Sequence, residues 1–381
     1  MKSEFLLRLL QKYLYRKGKR EKIRDYVRSK NIARSRNLSE IDKRNIVVAV
    51  VQEKAAIMEN YKQYVDTMYG FTRKAVDKGA QLISFPEENG TLVLGMLPLI
   101  KPILRVAQIL NRKSADKPPE SRSRAETPAG MDLGESEKKK TGINLAYVFS
   151  FLTPFITSVF ETTFSELARS FGVYIMAGSV IIEDKGKLVN RAYLFGPDGE
   201  IVGTQDKTHL VEMEMDLGLS AGERLQVFAT KLGKIAFPVC MDATYFETFK
   251  ILKQQGAQIV IIPIANMEEY NYYLALRGIW PRVQESGVFG LKSSLVGELY
   301  GIRFTGKAGI FAPLALTPAR DGVIAEAVSF DRSELVWASI DLTRLDTYRD
   351  PYFSDQNPEL YQRYLPDVYH QVKFSSTEFS S

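Results

Sequence analysis

The chain contains one cysteine, Cys240, and its position could make the thiol a nucleophile. Cys240 follows the apolar run Ile235–Val239, which is typical of a strand, and it precedes a helical stretch that starts near Tyr245. Functional sites in α/β proteins gather at the carboxyl ends of strands. There the amides of a helix N-terminus can stabilise a thiolate and can donate to an oxyanion. The competing interpretation is a small buried hydrophobic residue, which is common for a lone cysteine.

Two further sets of charges also follow strand-like runs. Glu87 and Glu88 come after residues 81–85 and Pro86. A buried carboxylate there, with its pKa raised toward neutrality, could take the proton of a thiol. Lys207 follows another strand-like stretch, and its ammonium could hold the anionic intermediate of acyl transfer. Taken singly, each of these residues is more simply a solvated surface charge.

Several other chemistries find no support in the sequence. The only histidines are His209 and His370, and with one cysteine a Cys/His zinc cluster is excluded. The chain has no G-x-S-x-G nucleophile elbow, no phosphate-binding GxxxxGK[ST] loop and no GxGxxG fingerprint after a strand. Serine hydrolase, ATP and dinucleotide chemistry are therefore disfavoured.

Taken together, and in this order, the motifs resemble those of the nitrilase superfamily, the carbon–nitrogen hydrolases, from about residue 46 to 340. The matching segments are the opening strand Ile46–Gln52, Gly79–Glu87, Gly178–Ser179 with Leu188–Asn190 and Gly196–Gly199, Asp206–Leu210, Leu219–Gly222, Leu232–Asp242, Glu247 and Gly256–Pro263. Of the two adjacent acids, Glu87 corresponds to the family's glutamate because it directly follows proline. His209 is a companion within the lysine motif rather than a catalyst.

The resemblance implies roles for the matched residues. Glu87 would be the general base and acid, Lys207 would stabilise the oxyanion, and Cys240 would be the nucleophile. The backbone N–H of Met241 would be a second oxyanion donor. The resemblance also implies a four-layer α-β-β-α sandwich and a homodimer, with neither metal nor cofactor.

The sequence departs from the family pattern in three places. Met215 stands where a second active-site glutamate often follows the lysine, so Glu214 or Glu212 is expected to substitute for it. Tyr245-Phe246-Glu247 replaces the usual Phe-Pro-Glu, and the arginine that normally follows is absent. The segment after Glu87, which shapes the substrate pocket in this family, carries an insertion. Candidate substrate-binding residues are Asn89, Tyr245, Asn266, Met267 and Trp280.

Hydrophobic patterning indicates the same fold class. The run 46–51 predicts a strand buried on both faces, 57–78 a helix ended by Gly79, and 81–85 a second strand, which together indicate a βαβ unit. We expect three regions: a basic amphipathic helical extension over 1–45, a hydrolase domain over 46–342, and a C-terminal arm over 343–381 that packs at an oligomer interface. Residues 111–141, rich in proline, serine and charge, are expected to be a disordered insertion.

Charge is unevenly distributed along the chain. Residues 1–45 hold 15 Lys and Arg against 5 Asp and Glu, whereas the rest of the chain holds 36 against 40. This basic segment, Lys101–Arg105 and the uncharged run 143–160 suggest contact with an anionic membrane surface. A helical subdomain with a larger dimer interface is an equal alternative, and nucleic-acid binding is disfavoured because no recognition motif accompanies the charge. A single cysteine fits a cytoplasmic location, with membrane association at the inner face.

The expected function is hydrolysis of a non-peptide carbon–nitrogen bond, in an amide-type substrate of apolar or acylated character, through a thioester acyl-enzyme. Nitrile hydrolysis or acyl transfer to an amine would use the same three residues. An alternative of another class is a catalytically silent, membrane-associated binding or scaffold protein with the same fold.

Overall fold

A computed structural model describes residues 12–33, 41–97, 145–299, 301–348 and 357–375, and the structural statements below concern these residues. They form two compact units, one ending at Leu345 and one beginning at Asp346. The strands are β1 (Ile46–Lys54), β2 (Leu82–Ser84), β3 (Tyr174–Asp184), β4 (Lys187–Phe195), β5 (Ile201–Asp206), β6 (Phe228–Thr230), β7 (Gly233–Ala236), β8 (Ile259–Ile264), β9 (Phe289–Leu299), β10 (Ile302–Phe304), β11 (Gly309–Phe311), β12 (Val323–Glu326) and β13 (Glu334–Ile340).

Helical segments connect and flank these strands. The α-helices are α1 (Arg20–Arg28), α2 (Tyr61–Asp77), α3 (Leu145–Phe171), α4 (Glu212–Asp216), α5 (Phe246–Gln254), α6 (Tyr272–Arg277), α7 (Trp280–Ser286), α8 (Thr343–Thr347) and α9 (Pro358–Ser375). Residues 12–17 are also helical. Within the described residues, 3₁₀ helices span Asn89–Met96, Cys240–Thr244 and Leu314–Leu316. Helix α2 begins later than hydrophobic periodicity predicts because the Asn60 side chain caps it, accepting from the backbone N–H groups of Lys62 and Gln63.

The main sheet path runs in the order β5-β4-β3-β2-β1-β9-β8-β7-β6. Strand β1 pairs parallel with β2 and with β9, and antiparallel with β13. Strand β8 also pairs parallel with β7 and with β9. The predicted βαβ unit is present as β1-α2-β2. The carboxyl ends of these parallel strands therefore lie along the same edge.

Apolar side chains alternate between the two faces of the strands and so build separate core layers. In β8, Ile261 lies in the central core whereas Ile262 packs under helices α5 and α7. In β1, Val50 lies in the same central core whereas Val51 packs under α2 and α3. This period of two gives helices, sheet, sheet and helices in succession. The predicted four-layer α-β-β-α sandwich is confirmed.

The predicted helical N-terminal segment is also confirmed, and it contributes directly to the core. Leu14, Ile23 and Val27 are buried in the same apolar cluster as α2 and α3. Glu166 of α3 is buried and lies among three guanidinium groups, with nitrogen–oxygen distances of 3.0, 3.4 and 2.8 Å. These belong to Arg24, Arg28 and Arg169. Part of the basic character of the segment is therefore used within the molecule.

From Leu145 onward, the uncharged run 143–160 lies in α3, a 27-residue helix with Pro154 inside it. One side of this helix is buried in the apolar cluster that also contains Leu14, Ile23 and Val27. The buried side chains are Ile156, Val159 and Phe160. Among the described helices, none has the length and apolar character needed to cross a bilayer. The predicted insertion 111–141 lies outside the described residues, as do residues 1–11 and Lys101–Arg105.

The second unit contains helix α9, described here on its own. Leu360, Tyr361, Tyr364 and Val368 are all between 46 and 56% exposed. Exposed apolar and aromatic side chains on one helix are what an oligomer contact would need. The role of the C-terminal arm in a homodimer stays a prediction.

Two glycines bring β3 close to the segment that follows β2. Gly178 has a φ of +78°, and a Cβ at this position would lie 1.8 Å from the carbonyl oxygen of Pro86. A Cβ on Gly90 would lie 2.4 Å from the Cβ of Val180. Only hydrogen fits at these two contacts, so β3 fixes where residues 86–90 run.

We expect Gly178→Ala to lower the free energy of unfolding by about 3 kcal/mol or more, because a methyl group would collide with backbone rather than with a movable side chain. Gly186→Ala is a matched control: its φ is +82°, but no heavy atom lies within 4 Å of the added carbon. The control should cost only about 1–2 kcal/mol, the conformational penalty alone. Urea unfolding of the two variants measures the difference, and equal losses would contradict the close contact.

Candidate active site

A buried lysine holds two buried carboxylates together at the strand ends. The ammonium of Lys207, which follows β5, lies 2.9 Å from Glu87 Oε1 and 2.9 Å from the carboxylate of Glu214. Glu87 follows β2, and Glu214 lies in α4. Both carboxylates and the ammonium are at most 6% exposed. Three chain segments therefore converge on one charge cluster.

Amide groups complete the hydrogen bonding of these carboxylates. The side-chain N–H₂ of Asn190 donates to Glu87 over 3.0 Å and to Glu214 over 3.1 Å. The backbone N–H of Ala265, just beyond β8, donates to Glu87 Oε2 over 3.0 Å. The N–H of Val211 donates to Glu214 over 2.9 Å. These fixed donors hold both carboxylates in place.

Cys240 lies beyond the end of β7 in a strained backbone conformation. Its φ is +44°, in the left-handed region that non-glycine residues rarely adopt. Such strain persists where the surrounding structure enforces it, often at functional sites. The thiol interacts with Glu87 and with the Ala265 N–H, and its sulfur lies 3.8 Å from Asn266 Oδ1. As a whole residue, Cys240 is partly exposed.

Asp242 joins the turn that carries Cys240 (the nucleophile turn) to residues 207–209, which follow β5 (the lysine segment). Its fully buried carboxylate accepts from the Val239 N–H over 2.9 Å and, across the site, from the backbone N–H groups of Thr208 and His209 over 3.0 and 2.7 Å. The His209 ring also contacts Asp242 through Nδ1 over 2.9 Å. One carboxylate therefore sets the spacing between Cys240 and Lys207.

The pKa values of these groups shift for physical reasons. Burial raises the pKa of Glu87, and the Lys207 ammonium opposes this shift only in part. Burial and the negative charge of Glu87 hold the pKa of the Cys240 thiol well above its ordinary value. Burial disfavours the Lys207 ammonium, yet Glu87, Cys240 and Glu214 outweigh it and raise its pKa. Cys240 is therefore a thiol at neutral pH beside a carboxylate that can accept its proton.

Glu88, beside Glu87, has a different role in the geometry. Its φ is +60°, its backbone N–H donates to Ser179 Oγ, and its carboxylate accepts from the Thr91 hydroxyl. Burial and the charge of Glu87 raise its pKa to about 8.

Of the two residues predicted to replace the second glutamate, Glu214 contacts Lys207 and Glu212 is exposed. Met215, where the family often has glutamate, is 58% exposed.

The structure brings three of the five predicted substrate-binding residues near Cys240 by contact or by position. Asn266 contacts the Cys240 sulfur, Met267 follows it and is exposed, and Tyr245 stacks on His209 with ring centroids 4.3 Å apart. It places the other two elsewhere. The Trp280 ring N–H donates to the carbonyl of Asp321 over 2.6 Å. The Asn89 side chain is fully buried and is bonded to Glu53 and Tyr64.

Met241, the predicted backbone donor, is the second residue of the 3₁₀ turn Cys240–Thr244. The first N–H groups of a helical turn have no partner within the turn, so they can donate to an oxyanion. Within the described part of the chain, no group of His, Cys, Asp and Glu is arranged to hold a metal ion. The arrangement brings a thiol, a buried carboxylate, an ammonium and backbone N–H groups into one place.

Sequence reasoning had not given Asn190, Ala265 or Asp242 a role in the site. Asn190 lies inside β4, and only the sheet register shows that its side chain faces the site. The backbone N–H of Ala265 carries no side-chain signal at all. Asp242 lies two residues after Cys240 in a motif that resembles the family, and that spacing was the available clue.

Comparison with known proteins shows the family of this chain. Residues 47–350 match the carbon-nitrogen hydrolase family. The chain belongs to the carbon–nitrogen hydrolase family. The predicted membership of the nitrilase superfamily is thereby confirmed.

Individual relatives of this carbon–nitrogen hydrolase align over parts of their length. A probable hydrolase of Bacillus subtilis is 34% identical over 45% of this chain, and an omega-amidase of Danio rerio is 34% identical over 26%. These alignments span only 34% and 39% of the two relatives' own lengths. An omega-amidase of Bos taurus is 26% identical over 52% of this chain and 73% of its own.

Solved structures of an amidase from Nesterenkonia sp. AN1 share the fold. One is a variant with the acetamide moiety of fluoroacetamide added covalently at its active-site cysteine. It has a TM-score of 0.58, 17% identity, and coverage of 86% of this chain and 99% of the amidase. Another variant of that amidase, in complex with butyramide, has a TM-score of 0.57 and 16% identity, with coverage of 85% and 99%. At such identities the similarity describes the fold of this hydrolase.

We expect Lys207→Met to lower the free energy of unfolding by about 3–5 kcal/mol at pH 8, because it leaves two buried carboxylates without their cation. Protonation of Glu87, whose pKa is raised by burial, relieves the repulsion between the two carboxylates. The loss of unfolding free energy should therefore shrink toward pH 5. Lys187→Met is the matched control, since Lys187 pairs with Glu223 at the same 2.9 Å but on the surface. The control should unfold like the wild type at both pH values. Chemical denaturation at pH 5 and pH 8 tests this, and a pH-independent loss for Lys207→Met would contradict it.

Proposed function

We propose that this carbon–nitrogen hydrolase cleaves amide-type bonds through a thioester formed on Cys240. The observation that carries the proposal is the convergence of Glu87, Lys207 and Cys240 beside the fixed donors of Asn190 and Ala265. The names of the omega-amidase relatives favour an amide over other carbon–nitrogen bonds.

The proposed reaction begins with proton transfer. Glu87 takes the proton of the Cys240 thiol as sulfur forms its bond to the amide carbon. The carbonyl oxygen becomes an oxyanion, which the Lys207 ammonium and the Met241 N–H stabilise. Glu87 then gives its proton to the amide nitrogen, the carbon–nitrogen bond breaks, and the amine leaves. Because the thiol has a raised pKa, this coupling of deprotonation and attack is required.

Hydrolysis of the thioester repeats the same proton cycle. A water molecule adds to the thioester carbon while Glu87 takes its proton. The tetrahedral intermediate collapses, the carbon–sulfur bond breaks, and Glu87 returns the proton to the Cys240 sulfur. The products are a carboxylic acid and the free enzyme. Nitrile hydrolysis, or attack by an amine in place of water, would need the same residues.

Exposed apolar side chains adjoin the site in sequence, and they support an apolar or acylated substrate. Met213 and Met215 flank Glu214 and are 40 and 58% exposed. Met267 follows Asn266 in the sequence and is 41% exposed. Tyr245 stacks on His209 and is 39% exposed. Solvent-exposed methionine and aromatic groups suit contact with a hydrocarbon chain.

Incubation with p-nitrophenyl acetate or octanoate, followed by intact mass measurement, tests the nucleophile. We expect one acyl group on the wild type, faster labelling by the octanoate, and no label on Cys240→Ala. Glu87→Gln should slow labelling about 100-fold or more because it loses the base. Lys187→Met, an exposed ion-pair variant, should label like the wild type.

Each outcome bears on one part of the proposal. Unchanged labelling of Cys240→Ala would refute the nucleophile and favour a silent scaffold with this fold. Faster labelling by acetate would refute only the apolar preference. A labelled enzyme that releases its acyl group to added amines but not to water would be an acyltransferase.

We also propose that the N-terminal helices contact an anionic lipid surface. A groove of about 630 Å³ lies between residues 12–21 and helix α3, with apolar walls that include Phe151 and Phe155. Lys12 and Arg16, both exposed, lie at its edge. Cations beside an apolar groove suit acidic headgroups and their acyl chains. A cytoplasmic location stays a prediction.

We expect the full chain to pellet with vesicles rich in phosphatidylserine and not with phosphatidylcholine alone. Reversal of three exposed charges, Lys12→Glu, Arg16→Glu and Lys17→Glu, should abolish most of the binding, since each cation contributes about 1 kcal/mol. Reversal at Lys185, Lys231 and Lys234 changes the net charge equally at exposed positions elsewhere. If that control loses binding to the same extent, the attraction depends on total charge and the proposed surface is wrong.

A further inference from the structure

A further buried acid lies next to the segment that carries Glu87. Glu53, in β1, is 1% exposed, and its Oε2 accepts from the Asn89 side-chain N–H₂ over 2.7 Å. Its Oε1 is buried with no hydrogen-bond partner among the described residues. An ionised carboxylate in this place would carry a buried charge without a cation. The geometry suits a neutral carboxylic acid.

Asn89 is held on both ends of its amide. Its Oδ1 accepts from the Tyr64 hydroxyl over 2.6 Å, and its Nδ2 also lies 3.3 Å from the Met68 sulfur. Both Asn89 and Tyr64 are fully buried. The side chain is therefore fixed in one orientation by β1 on one side and by α2 on the other.

Asn89 opens the 3₁₀ helix immediately after the left-handed residue Glu88, two residues after Glu87. On the opposite side, β3 approaches the same segment at Gly178 and Gly90. The backbone that carries the Glu87 carboxylate thus lies between a close strand contact and a side-chain anchor. Loss of the anchor would leave one side of the turn unsupported.

We propose that Glu53 is a positioning residue for Glu87: as a neutral acid it fixes Asn89, and Asn89 fixes the turn that aims the Glu87 carboxylate at the Cys240 thiol. The inference rests on the proposed role of Glu87 as the base. It adds that the base depends on an acid that does not touch the substrate.

Electrostatics agree with a neutral Glu53. Burial raises its pKa to about 8, and the bond from Asn89 opposes this only in part. The titratable group that faces it is Tyr64 of α2, whose own pKa is raised by burial and by Glu53. Because the folded state binds the proton more tightly than the unfolded state, stability falls as pH rises from about 4.5 to about 8. A glutamine at this position would not have this pH dependence.

Alkylation by iodoacetamide tests the inference without any substrate, since Cys240 is the chain's one cysteine. Intact mass measurement at pH 7.5 gives the rate. We expect Glu53→Leu to slow alkylation about tenfold, because Asn89 loses its acceptor and the base shifts. Glu53→Gln, which keeps an acceptor oxygen, should stay within about threefold of the wild type.

A double-mutant cycle distinguishes positioning from general destabilisation. If Glu53 acts through Glu87, then Glu53→Leu should add less than about twofold to the loss in Glu87→Gln. Independent, additive losses would overturn the inference, as would wild-type alkylation in Glu53→Leu. Wild-type alkylation in Glu87→Gln would instead refute the base itself.

Two further measurements keep the test decisive if Glu53→Leu folds poorly. Tyr64→Phe removes the hydroxyl group that donates to Asn89. It should therefore also slow alkylation, but by less than Glu53→Leu does. The thermal unfolding temperature of Glu53→Gln should be higher than that of the wild type, and this difference should grow between pH 5 and pH 8. A constant margin would show that Glu53 is already ionised and would overturn its description as a neutral acid.

Discussion

One ammonium group between two carboxylates, all three out of reach of water, is the constraint on which the site depends. Taking each ion from water costs several kcal/mol, and mutual attraction recovers this only when the geometry is close and the remaining oxygens are bonded. Lys207 lies 2.9 Å from both Glu87 and Glu214. Asn190 donates to the Oε1 atoms of Glu87 and Glu214, which the lysine also bonds, and Ala265 donates to Glu87 Oε2, which the lysine does not bond. The fold must therefore bring five distant segments together accurately or lose the cluster altogether.

The proton transfers of the proposed reaction depend on the same arrangement. Glu87 has a raised pKa because it is buried, yet it remains close to a cation, so it can both accept and return a proton. The thiol beside it is held in a left-handed conformation that an unconstrained cysteine would leave. Asp242 bonds the nucleophile turn and the lysine segment at once. Movement of either segment would disturb the other, which keeps the three groups in register.

Much of this could be read from the sequence, and the part that could not has a physical explanation. Strand ends are visible as apolar runs that stop, which placed Glu87, Lys207 and Cys240 at strand ends. The resemblance of their ordered motifs to the nitrilase superfamily then grouped them in one site. Asn89 was expected to contact substrate, but its side-chain direction depends on the left-handed turn at Glu88, which no propensity predicts.

Interactions between distant residues were similarly hidden from the sequence. The N-terminal segment looked like an appended basic helix, because the ion pair between Arg24 and Glu166 joins residues 142 positions apart. Asn190 and Ala265 act through strand register and a backbone N–H. The four-layer architecture, by contrast, could be predicted because the ordered motifs resemble the nitrilase superfamily.

The packing of the N-terminal helices has a practical consequence for where this protein can be shortened. Similarity to the family starts at residue 47, yet Leu14, Ile23 and Val27 belong to the same core as α3. Gly18 sits so close to the Phe155 ring that even one added carbon would lie 2.6 Å from it. Expression from residue 47 onward would bare phenylalanine and valine to solvent and invite aggregation. Shared ancestry marks the part of the chain that relatives have in common, whereas the folding unit is larger.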